Sequence, residues 1–531
     1  MSQSEQSHVS ATISAPVIPT LRPYQQQLIS EIYQEIRAGS KRIVAFAPTG
    51  SGKTVISAQI AQHAVSKGKY VLFIVHRDIL VHQTALKLLA FGINPGFIKS
   101  GWPEDRNAFV QIASVQTMVK RDWWQNFSAN VVILDEVHLL AYTKIVQQMM
   151  FTIHPQAIYL GFTATPWRTK KCESLGDFFQ TLVSAPLPKD LIDAGFLVKP
   201  SYFSLSIADL KSVGTTVSGD FDSDQLALAC DRPELIEQIV RDWHRLARLR
   251  RTIAFAVNVA HARHLAKAFT ASGVSATFID GSVPPKCANQ IYHQLATAEI
   301  QVLCSCMKLV EGFDVPAVEA VLLCRPTHSR SLHFQMIGRG LRLSPETGKT
   351  DCIIIDQVGN VQRHGFVEDI RQVSLDPSQS PSSEEGPKKI CPPEHGGCAA
   401  IIYAFQIRCT ECGYIFPQPK KVYLVPELEQ LLSQEDIERY QFYRQTLKEA
   451  YEKNFDPGSS AHTFRSKFGH WPPNAWALGA VFGHQPNQLQ RDSYHKYLSA
   501  IAQRKQKPQS WIDRYVSLEF GFAVEQICTK T

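Results

Sequence analysis

The chain has 531 residues, too long for a single hydrophobic core, and the length indicates roughly three or four domains. Hydrophobic residues make up 44% and charged residues 19%, and the formal net charge of +7 allows a phosphate-rich partner without requiring one. The N-terminal residues lack a basic segment followed by an apolar run, and no run of about 18 apolar residues occurs anywhere. We therefore expect a cytoplasmic protein that is neither secreted nor inserted in a membrane.

Short apolar runs alternate with amphipathic stretches between Arg42 and Asp356. Continuous apolar runs of this kind are typical of strands buried on both faces of a parallel sheet. The pattern predicts two successive α/β lobes. The runs are RIVAFA, YVLFIV, FVQIAS, VVILDE and AIYLGF in the first lobe and RTIAFA, SATFID, IQVLCS, AVLLC and DCIIID in the second.

A glycine-rich loop, APTGSGKT, joins the first strand to a helical segment. A loop held at both ends in this way can wrap backbone N–H groups around phosphates. Lys53 then supplies a charge to the β- and γ-phosphates and Thr54 a hydroxyl ligand for Mg²⁺, although Ala47 departs from the usual first glycine. The predicted nucleotide-binding residues of the loop are Thr49, Gly50, Ser51, Gly52, Lys53 and Thr54.

The string VVILDEVH places two carboxylates at the end of a predicted strand, where open α/β sheets bind their ligands. We predict that Asp135 holds Mg²⁺ and that Glu136 polarises the attacking water. An isolated Asp-Glu pair would be read as an acidic turn, and the loop upstream favours the catalytic reading.

From Leu21 to Gly365 the sequence resembles superfamily 2 helicases of the DEAD/DEAH-box class, which implies RecA-like lobes, ATP and Mg²⁺. The resemblance rests on LRPYQ, DEVH (with Val137 where the family often has alanine), GFTATP, EGFDVP and QMIGRGLR. It implies a base contact for Gln25, coupling roles for His138, Thr163 and Thr165, and ribose or nucleic-acid contacts for Gly312 and Asp314.

In the last of these motifs Gln335, Arg339 and Arg342 stand at i, i+4 and i+7, which predicts a shared helical face. We expect all three to act in catalysis, with the two guanidinium groups reaching the γ-phosphate only when the lobes close. Basic residues on a solvated face would be the alternative for any one of them.

The same resemblance implies nucleic-acid contacts that grip phosphate and sugar without reading sequence. A turn or a helix cap remains the alternative for each position taken singly. Within the superfamily, DQVGNVQRHG and the cysteines beyond it look most like the bacterial RadD-type DNA-repair helicases. The predicted nucleic-acid residues are Arg77, Gly101, Gln116, Thr117, Asn258 and Gly281.

Four cysteines fall within a short segment, CPPEHGGC followed by CTECGYIF. The second half has the form of a zinc knuckle, in which Gly413 allows the turn, whereas the first pair is spaced more widely than usual. We predict a structural Zn²⁺ held by Cys391, Cys398, Cys409 and Cys412. His395 could replace Cys391 or Cys398, and four reduced cysteines without a metal remain the alternative.

These patterns predict six segments, and the last begins after Gln418 and is mostly helical. FRSKFGHWPP and QRKQKPQSWIDRY place aromatic residues among basic ones there, as in a nucleic-acid surface or in the core of a small helical domain. The segments are a flexible tail at 1–20, lobes at 21–195 and 196–375, a linker at 376–389, a zinc-ribbon-like module at 390–418 and an accessory region at 419–531.

The function that these motifs predict is an ATP-dependent helicase or translocase acting on nucleic acid, with DNA favoured over RNA. Repair, recombination or defence is the expected setting, and proteins of those processes are candidate partners. An RNA-dependent ATPase is one alternative, and a catalytically idle scaffold that binds through its zinc module is another. The region after the linker holds no predicted ATP chemistry, so we expect it to be separable from the motor.

Overall fold

The computed structural model describes residues 19–76, 78–167, 174–205, 208–216, 219–306, 313–376, 386–417, 434–482 and 487–520. The chain divides into two compact units, which meet in the sequence between Phe416 and Pro417. The first unit holds two parallel sheets and a small antiparallel pair, and the second is helical. The predicted fold class is confirmed: two RecA-like lobes, a four-cysteine cluster and a helical C-terminal region.

The first lobe is a seven-stranded parallel sheet in the order β3-β4-β2-β5-β6-β1-β7. Its strands are β1 Arg42–Phe46, β2 Val71–Val75, β3 Gly96–Ile98, β4 Val110–Ser114, β5 Val131–Asp135, β6 Ile158–Thr163 and β7 Thr181–Ser184. Its helices are α1 Pro23–Arg37, α2 Lys53–Val65, α3 Asp78–Ala90, α4 Val115–Met118, α5 Val137–Leu140, α6 Lys144–Gln148 and α7 Pro188–Asp193. A π-helical turn spans Met149–Ile153, and 3₁₀ turns span Trp123–Asn126 and Leu175–Asp177.

The second lobe is a six-stranded parallel sheet in the order β10-β11-β9-β12-β13-β8. Its strands are β8 Lys199–Phe203, β9 Thr252–Phe255, β10 Ala276–Phe278, β11 Val302–Ser305, β12 Ala320–Leu323 and β13 Asp351–Asp356. Its helices are α8 Ser223–Cys230, α9 Pro233–Leu246, α10 Val259–Ala271, α11 Pro285–Ala296, α12 Arg330–Gly338 and α13 Asn360–His364. Short 3₁₀ turns span Pro345–Thr347 and Val367–Asp369.

Every apolar run predicted as a strand forms one, and the lobe strands without a predicted run are β3, β7 and β8. All three lie at an edge of their sheet. An edge strand is covered less completely than a central one, so it needs no continuous apolar run. The strand β8, with the sequence KPSYF, is exposed at Lys199 and buried at Tyr202.

The strand order separates two groups of predicted residues along the carboxyl edge of the first sheet. There the nucleotide motifs lie at the ends of β1 and β5, whereas Gly101, Gln116 and Thr117 follow β3 and β4 in the other half of the sheet. In the second lobe Asn258 and Gly281 follow β9 and β10 and the arginine motif follows β12. Asp314 follows β11, which lies between β10 and β9, so the two predicted groups are not separated in that sheet.

The antiparallel pair consists of β14 Lys388–Ile390 and β15 Ile401–Tyr403, separated by a 3₁₀ turn at Pro393–His395. The first of these strands begins inside the segment predicted as linker. The second unit contains α14 Gln434–Glu452, α15 Gly458–Phe468, α16 Gln488–Lys505 and α17 Gln509–Phe520, with a 3₁₀ turn at Asn474–Ala477. Among the described residues, no helix combines the length and the apolar character needed to cross a membrane.

Candidate nucleotide-binding cleft

The glycine-rich loop runs from the end of β1 to the start of α2, as its sequence predicts. Gly50 and Gly52 both have a φ of 88°, a left-handed conformation that favours glycine. Gly52 caps α2 and Lys53 is its first residue, so the N–H groups of the first turn face the loop. This is the geometry that binds phosphate at a helix N-terminus.

The loop is braced from behind by α1. Gln25 donates from its amide to the Ser51 carbonyl (2.8 Å), and Tyr24 donates its hydroxyl to the same oxygen (2.8 Å). Gln25 is only 4% exposed, and its own carbonyl accepts from the Arg22 N–H at 2.9 Å. The Gln25 amide is thus hydrogen-bonded within the protein. Arg22, which the sequence motifs did not single out, lines the cleft. The base contact of Gln25 stays a prediction.

The two predicted carboxylates lie beside the lysine of the loop. Lys53 Nζ is 3.9 Å from Glu136 Oε1 and 3.5 Å from the Ala47 carbonyl. Burial, reinforced by Glu136, raises the pKa of Asp135 to about 6. Burial lowers the pKa of Lys53, and the negative charges of Glu136 and Asp135 oppose that shift. A buried cation between two carboxylates has the charge arrangement that Mg²⁺ and a polyphosphate would complete.

Glu136 has a left-handed backbone, with φ 49° and ψ 53°. Side chains other than glycine rarely adopt this conformation, and such strain is concentrated at functional sites. The turn ends β5 and aims the side chain into the cleft, where Glu136 Oε2 is buried without a hydrogen bond among the described residues. An acceptor that no hydrogen bond satisfies, with His138 Nδ1 3.4 Å away, suits a group that orients a water molecule.

The departure of Val137 from the family pattern is accommodated by its neighbour on β6. Val137 is fully buried, and a Cβ added at Gly161 would lie 2.7 Å from Val137 Cγ2. Valine fits here because position 161 has no side chain.

Residues of both lobes line one cleft of about 280 Å³. The first lobe contributes Thr49, Gly50, Gly52, Lys53, Thr54, Asp135 and Glu136, and the second contributes Asp314, Arg339 and Arg342. Ser51 does not line it, because its hydroxyl donates to the Pro48 carbonyl at 2.7 Å. Gly312 lies outside the described residues.

The lobes also approach each other closely at the loop. A Cβ added at Gly338 would lie 2.4 Å from Thr49 Cβ, and one added at Gly50 would lie 3.0 Å from Leu197 Cδ2. Position 338 therefore allows the end of α12 to rest against the phosphate loop.

The prediction that Gln335, Arg339 and Arg342 share one helical face is wrong for Arg342. The helix α12 ends at Gly338, and Gly340 N donates to the Ile337 carbonyl at 2.9 Å, a tighter turn than an α-helix makes. A Cβ at Gly340 would lie 2.4 Å from Cys352 Sγ, so this glycine fits the turn against β13.

Gln335 is nonetheless buried at 6% exposure, and both arginines line the cleft. Arg339 donates to the Phe313 carbonyl at 2.8 Å, and Arg342 donates to the same oxygen at 3.3 Å and pairs with Asp314. The chain thus holds the two guanidinium groups side by side without a helix between them. The ribose or nucleic-acid contact of Asp314 stays a prediction.

A hydrogen-bonded ring joins the lobes behind Glu136. His138 Nδ1 lies 2.9 Å from Thr163 Oγ1 and 3.4 Å from Glu136 Oε2. Thr163 donates its hydroxyl to the Thr165 carbonyl (3.1 Å) and accepts from the Thr165 N–H (3.0 Å). Since the Thr163 hydrogen is used, the network assigns the His138 proton to Nδ1 and leaves Nε2 as an acceptor.

Ser331, on the first turn of α12, closes this ring from the second lobe. Its hydroxyl lies 3.4 Å from His138 Nε2 and 2.5 Å from Thr165 Oγ1. His138 and Thr165 are buried, so the contact is shielded from water. The motif reading missed Ser331, because nothing in its local sequence shows that it meets residues so distant in the chain.

Comparison with known proteins agrees with this geometry. The family model "Type III restriction enzyme, res subunit" matches residues 18–168, and "Helicase conserved C-terminal domain" matches residues 231–344. The chain carries the motor lobes of a superfamily 2 helicase. The narrower resemblance to the RadD type stays a prediction.

Three curated proteins show how much of the chain this motor covers. Saccharomyces cerevisiae IRC3, designated an ATP-dependent helicase, is 32% identical over 360 residues, 64% of this chain and 52% of that protein. A 51.5 kDa protein of a Lactococcus phage is 27% identical over 401 residues, 73% of this chain and 82% of its own. The Escherichia coli type I restriction enzyme EcoAI endonuclease subunit is 24% identical over 392 residues, 63% of this chain and 46% of its own. The chain thus spans about half the length of the first and third.

Several of the residues predicted to contact nucleic acid also have structural partners. Asn258 caps α10 by accepting from the His261 N–H at 2.8 Å, and Gln116 donates to the His76 carbonyl at 2.9 Å. Thr117 is 7% exposed in α4. A Cβ added at Gly101, where φ is 79°, or at Gly281 would meet no atom within 4 Å. Arg77 lies outside the described residues, and the contacts of the whole group stay predictions.

The four predicted cysteines meet at one point, their Sγ atoms all within 4.8 Å of one another. Cys391 and Cys412 are 3.6 Å apart, and Cys398 and Cys409 are 3.7 Å apart. Four sulfurs around a tetrahedral Zn²⁺ at about 2.3 Å would be separated by about 3.8 Å, so the donor set fits zinc. His395 is exposed and does not belong to the cluster.

The cysteine module is built onto the superfamily 2 motor. Cys391, Cys409 and Ile402 belong to the same hydrophobic core as Phe203 and Ile355 of the second lobe. The bridge between Phe203 and Ala400 continues the sheet at the free edge of β8, and Ser204 N donates to the Ala399 carbonyl at 2.9 Å. This packing disfavours the expectation that everything after the linker is separable from the motor, which stays a prediction.

Proposed function

We propose that the protein is a nucleic-acid-dependent ATPase that moves along or opens DNA. The observation that carries the proposal is one cleft in which the phosphate loop and carboxylates of one lobe face the two arginines of the other. Such a cleft is complete only when the lobes are closed, so hydrolysis can be tied to lobe movement.

In this proposal each cleft residue has one task. Lys53 places a positive charge at the β- and γ-phosphates, and the loop N–H groups bind the remaining oxygens. Asp135 and Thr54 would hold Mg²⁺, which when bound neutralises charge on the phosphates. Glu136 orients the attacking water and accepts its proton, and Arg339 and Arg342 stabilise the charge that develops on the transferred group.

The ring through Ser331 is the route by which we propose that closure reaches the chemistry. His138 contacts both the Glu136 carboxylate and Ser331, so separating the lobes breaks the Ser331 contact and releases the imidazole. Thr163 and Thr165 hold the ring on the side of the first lobe. Glu136 is then fixed in its reactive position only when α12 is in place.

DNA is the favoured polymer on the strength of two curated relatives, one designated a helicase and one a restriction-enzyme subunit. Residues after β3, β4, β9 and β10 would contact phosphate and sugar. Such contacts can be made with DNA and with RNA. The RNA-dependent alternative is therefore an outcome of the substrate test. The idle scaffold is disfavoured, because the cleft retains Lys53, Glu136 and both arginines.

We also propose that the cysteine cluster is a structural zinc site. Four protein ligands close the coordination sphere of Zn²⁺ and leave no position for a substrate. Reduced cysteines of this kind fit a reducing compartment, so we keep the cytoplasm as the proposed location and repair or defence proteins as proposed partners.

Two substitutions test the ATPase. Lys53→Ala should abolish turnover and weaken ATP binding, because it removes the phosphate charge, whereas Glu136→Gln should retain ATP binding and slow hydrolysis by about 10²- to 10⁴-fold. Hydrolysis and nucleotide affinity are measured separately for each variant. The matched control is Glu394→Gln, at an exposed acid outside the cleft. Near wild-type hydrolysis by Glu136→Gln would overturn the assignment.

A further inference from the structure

The second unit carries an exposed aromatic residue held in a basic setting. Trp471 is 48% exposed, yet its ring is fixed by Arg465, whose guanidinium carbon lies 4.6 Å from the ring centroid, and by His462 at 5.0 Å. His470 is also exposed, whereas the Lys467 ammonium lies 4.0 Å from the centroid of the Phe442 ring. We call His462, Arg465, His470 and Trp471 the tryptophan platform.

Local folding explains how the platform is built. Phe464 is fully buried beside Trp476 and Tyr443, so α15 is anchored by one face and presents His462 and Arg465 on another. Gly469, with φ 80°, ends the helix, and its N–H donates to the Arg465 carbonyl at 2.8 Å. The reversal brings Trp471 back over Arg465.

The structure thus divides a motif that its sequence left ambiguous. Phe464 belongs to the core of the second unit, whereas Trp471 and its basic neighbours do not. No acidic residue occurs between His462 and Trp471, and Arg465 forms no ion pair with any described residue. A rigid, half-exposed indole beside an unneutralised cation suits a ligand with both flat rings and negative charge.

We propose that the tryptophan platform binds single-stranded nucleic acid, with an unpaired base stacked on Trp471 and the adjacent phosphate held by Arg465. Stacking is available only where a base is unpaired, so the platform favours single strands over duplex. The platform would add to the proposed function a second contact with the single strand, one that does not depend on ATP.

Equilibrium binding by the full-length chain, without nucleotide, tests the inference. A fluorescent oligothymidylate, a single-stranded RNA and a DNA duplex are titrated at several salt concentrations. Trp471→Ala should weaken single-strand binding about tenfold, Trp471→Phe should restore most of it, and Arg465→Ala should reduce the salt slope by about 1. Phe455→Ala removes an aromatic side chain of the second unit that is 57% exposed and serves as control. Thermal unfolding of each variant verifies folding.

Loss on single-stranded DNA alone, or on both single-stranded polymers, supports the platform. Equal single-strand affinity for Trp471→Ala and Phe455→Ala would overturn it, as would an equally large loss on duplex or an absence of single-strand binding by the wild type. The ATPase assay of Glu136→Gln is independent of these titrations. Failure of the platform and failure of the proposed ATPase are therefore distinguishable.

Discussion

His138 is placed to report on both lobes, because one ring nitrogen faces Thr163 and the Glu136 carboxylate and the other faces Ser331. A small polar residue at position 331 allows this close contact at the start of α12. Removing its hydroxyl should cost about 1 kcal/mol of interlobe coupling, or about a fivefold change in rate.

Variants at Ser331 and Thr165 test this contact. Ser331→Ala should lower the rate of nucleic-acid-stimulated hydrolysis about fivefold with little change in the KM for ATP. Ser331→Thr, which keeps a hydroxyl, should recover most of the rate. Combined with Thr165→Val, the alanine variant should be less than additive, because the two hydroxyls share one contact. Additive losses, or an unchanged rate for Ser331→Ala, would show that the ring does not transmit closure.

The residues of the cleft differ in how far sequence could predict them. The ends of two strands fix the positions of Lys53, Asp135 and Glu136, and short sequence motifs mark those strand ends. The left-handed φ of Glu136 and the contact of Ser331 with His138 depend on packing between distant segments, so neither has a local sequence signal.

Among the elements, the end of α12 lies directly against the phosphate loop at Gly338. Periodicity predicted a helix long enough to carry Arg342, but Gly338 and Gly340 end it early. Spacing alone cannot show that each glycine faces a neighbouring atom at a distance that excludes a Cβ. The two arginines reach the cleft all the same, because the Phe313 carbonyl accepts from both.

We predict that Gly338→Ala impairs closure of the lobes. The added methyl would meet Thr49 at 2.4 Å, and overpacking of this kind costs about 1–3 kcal/mol. Hydrolysis should fall while the unfolding temperature of the nucleotide-free protein changes little, since the lobes can separate to relieve the clash. Gly386→Ala, where a Cβ meets nothing within 4 Å, is the matched control. Full activity of Gly338→Ala would contradict the contact.

In the molecule as a whole, the cysteine module belongs to the second lobe and the helical unit is the part that follows it. Asp369 pairs with Lys388 at 3.2 Å and accepts from the Tyr403 hydroxyl, so the module is tied to the motor by buried polar contacts. Sequence composition predicted the linker and the cysteines. It could not show that Cys391 and Cys409 complete the core of another domain.

Two truncations distinguish these parts. A chain ending at Phe416 should fold and retain ATP hydrolysis, whereas one ending at Lys389 should unfold or aggregate, because it exposes the core beneath β8 and β15. Cys412→Ser should release zinc and lower the unfolding temperature, and Cys287→Ser, at another exposed cysteine, should do neither. Zinc analysis and calorimetry measure both effects. A stable, active chain ending at Lys389 would contradict the integration of the module.

We propose that one interlobe cleft hydrolyses ATP in response to nucleic acid. The deciding measurement is the hydrolysis rate of the full-length chain without nucleic acid and with single-stranded DNA, duplex DNA or RNA at one salt concentration. We predict stimulation that is largest with DNA and is lost in Glu136→Gln. Stimulation by RNA alone would reassign the substrate, and a rate unaffected by every polymer or by Glu136→Gln would contradict the account.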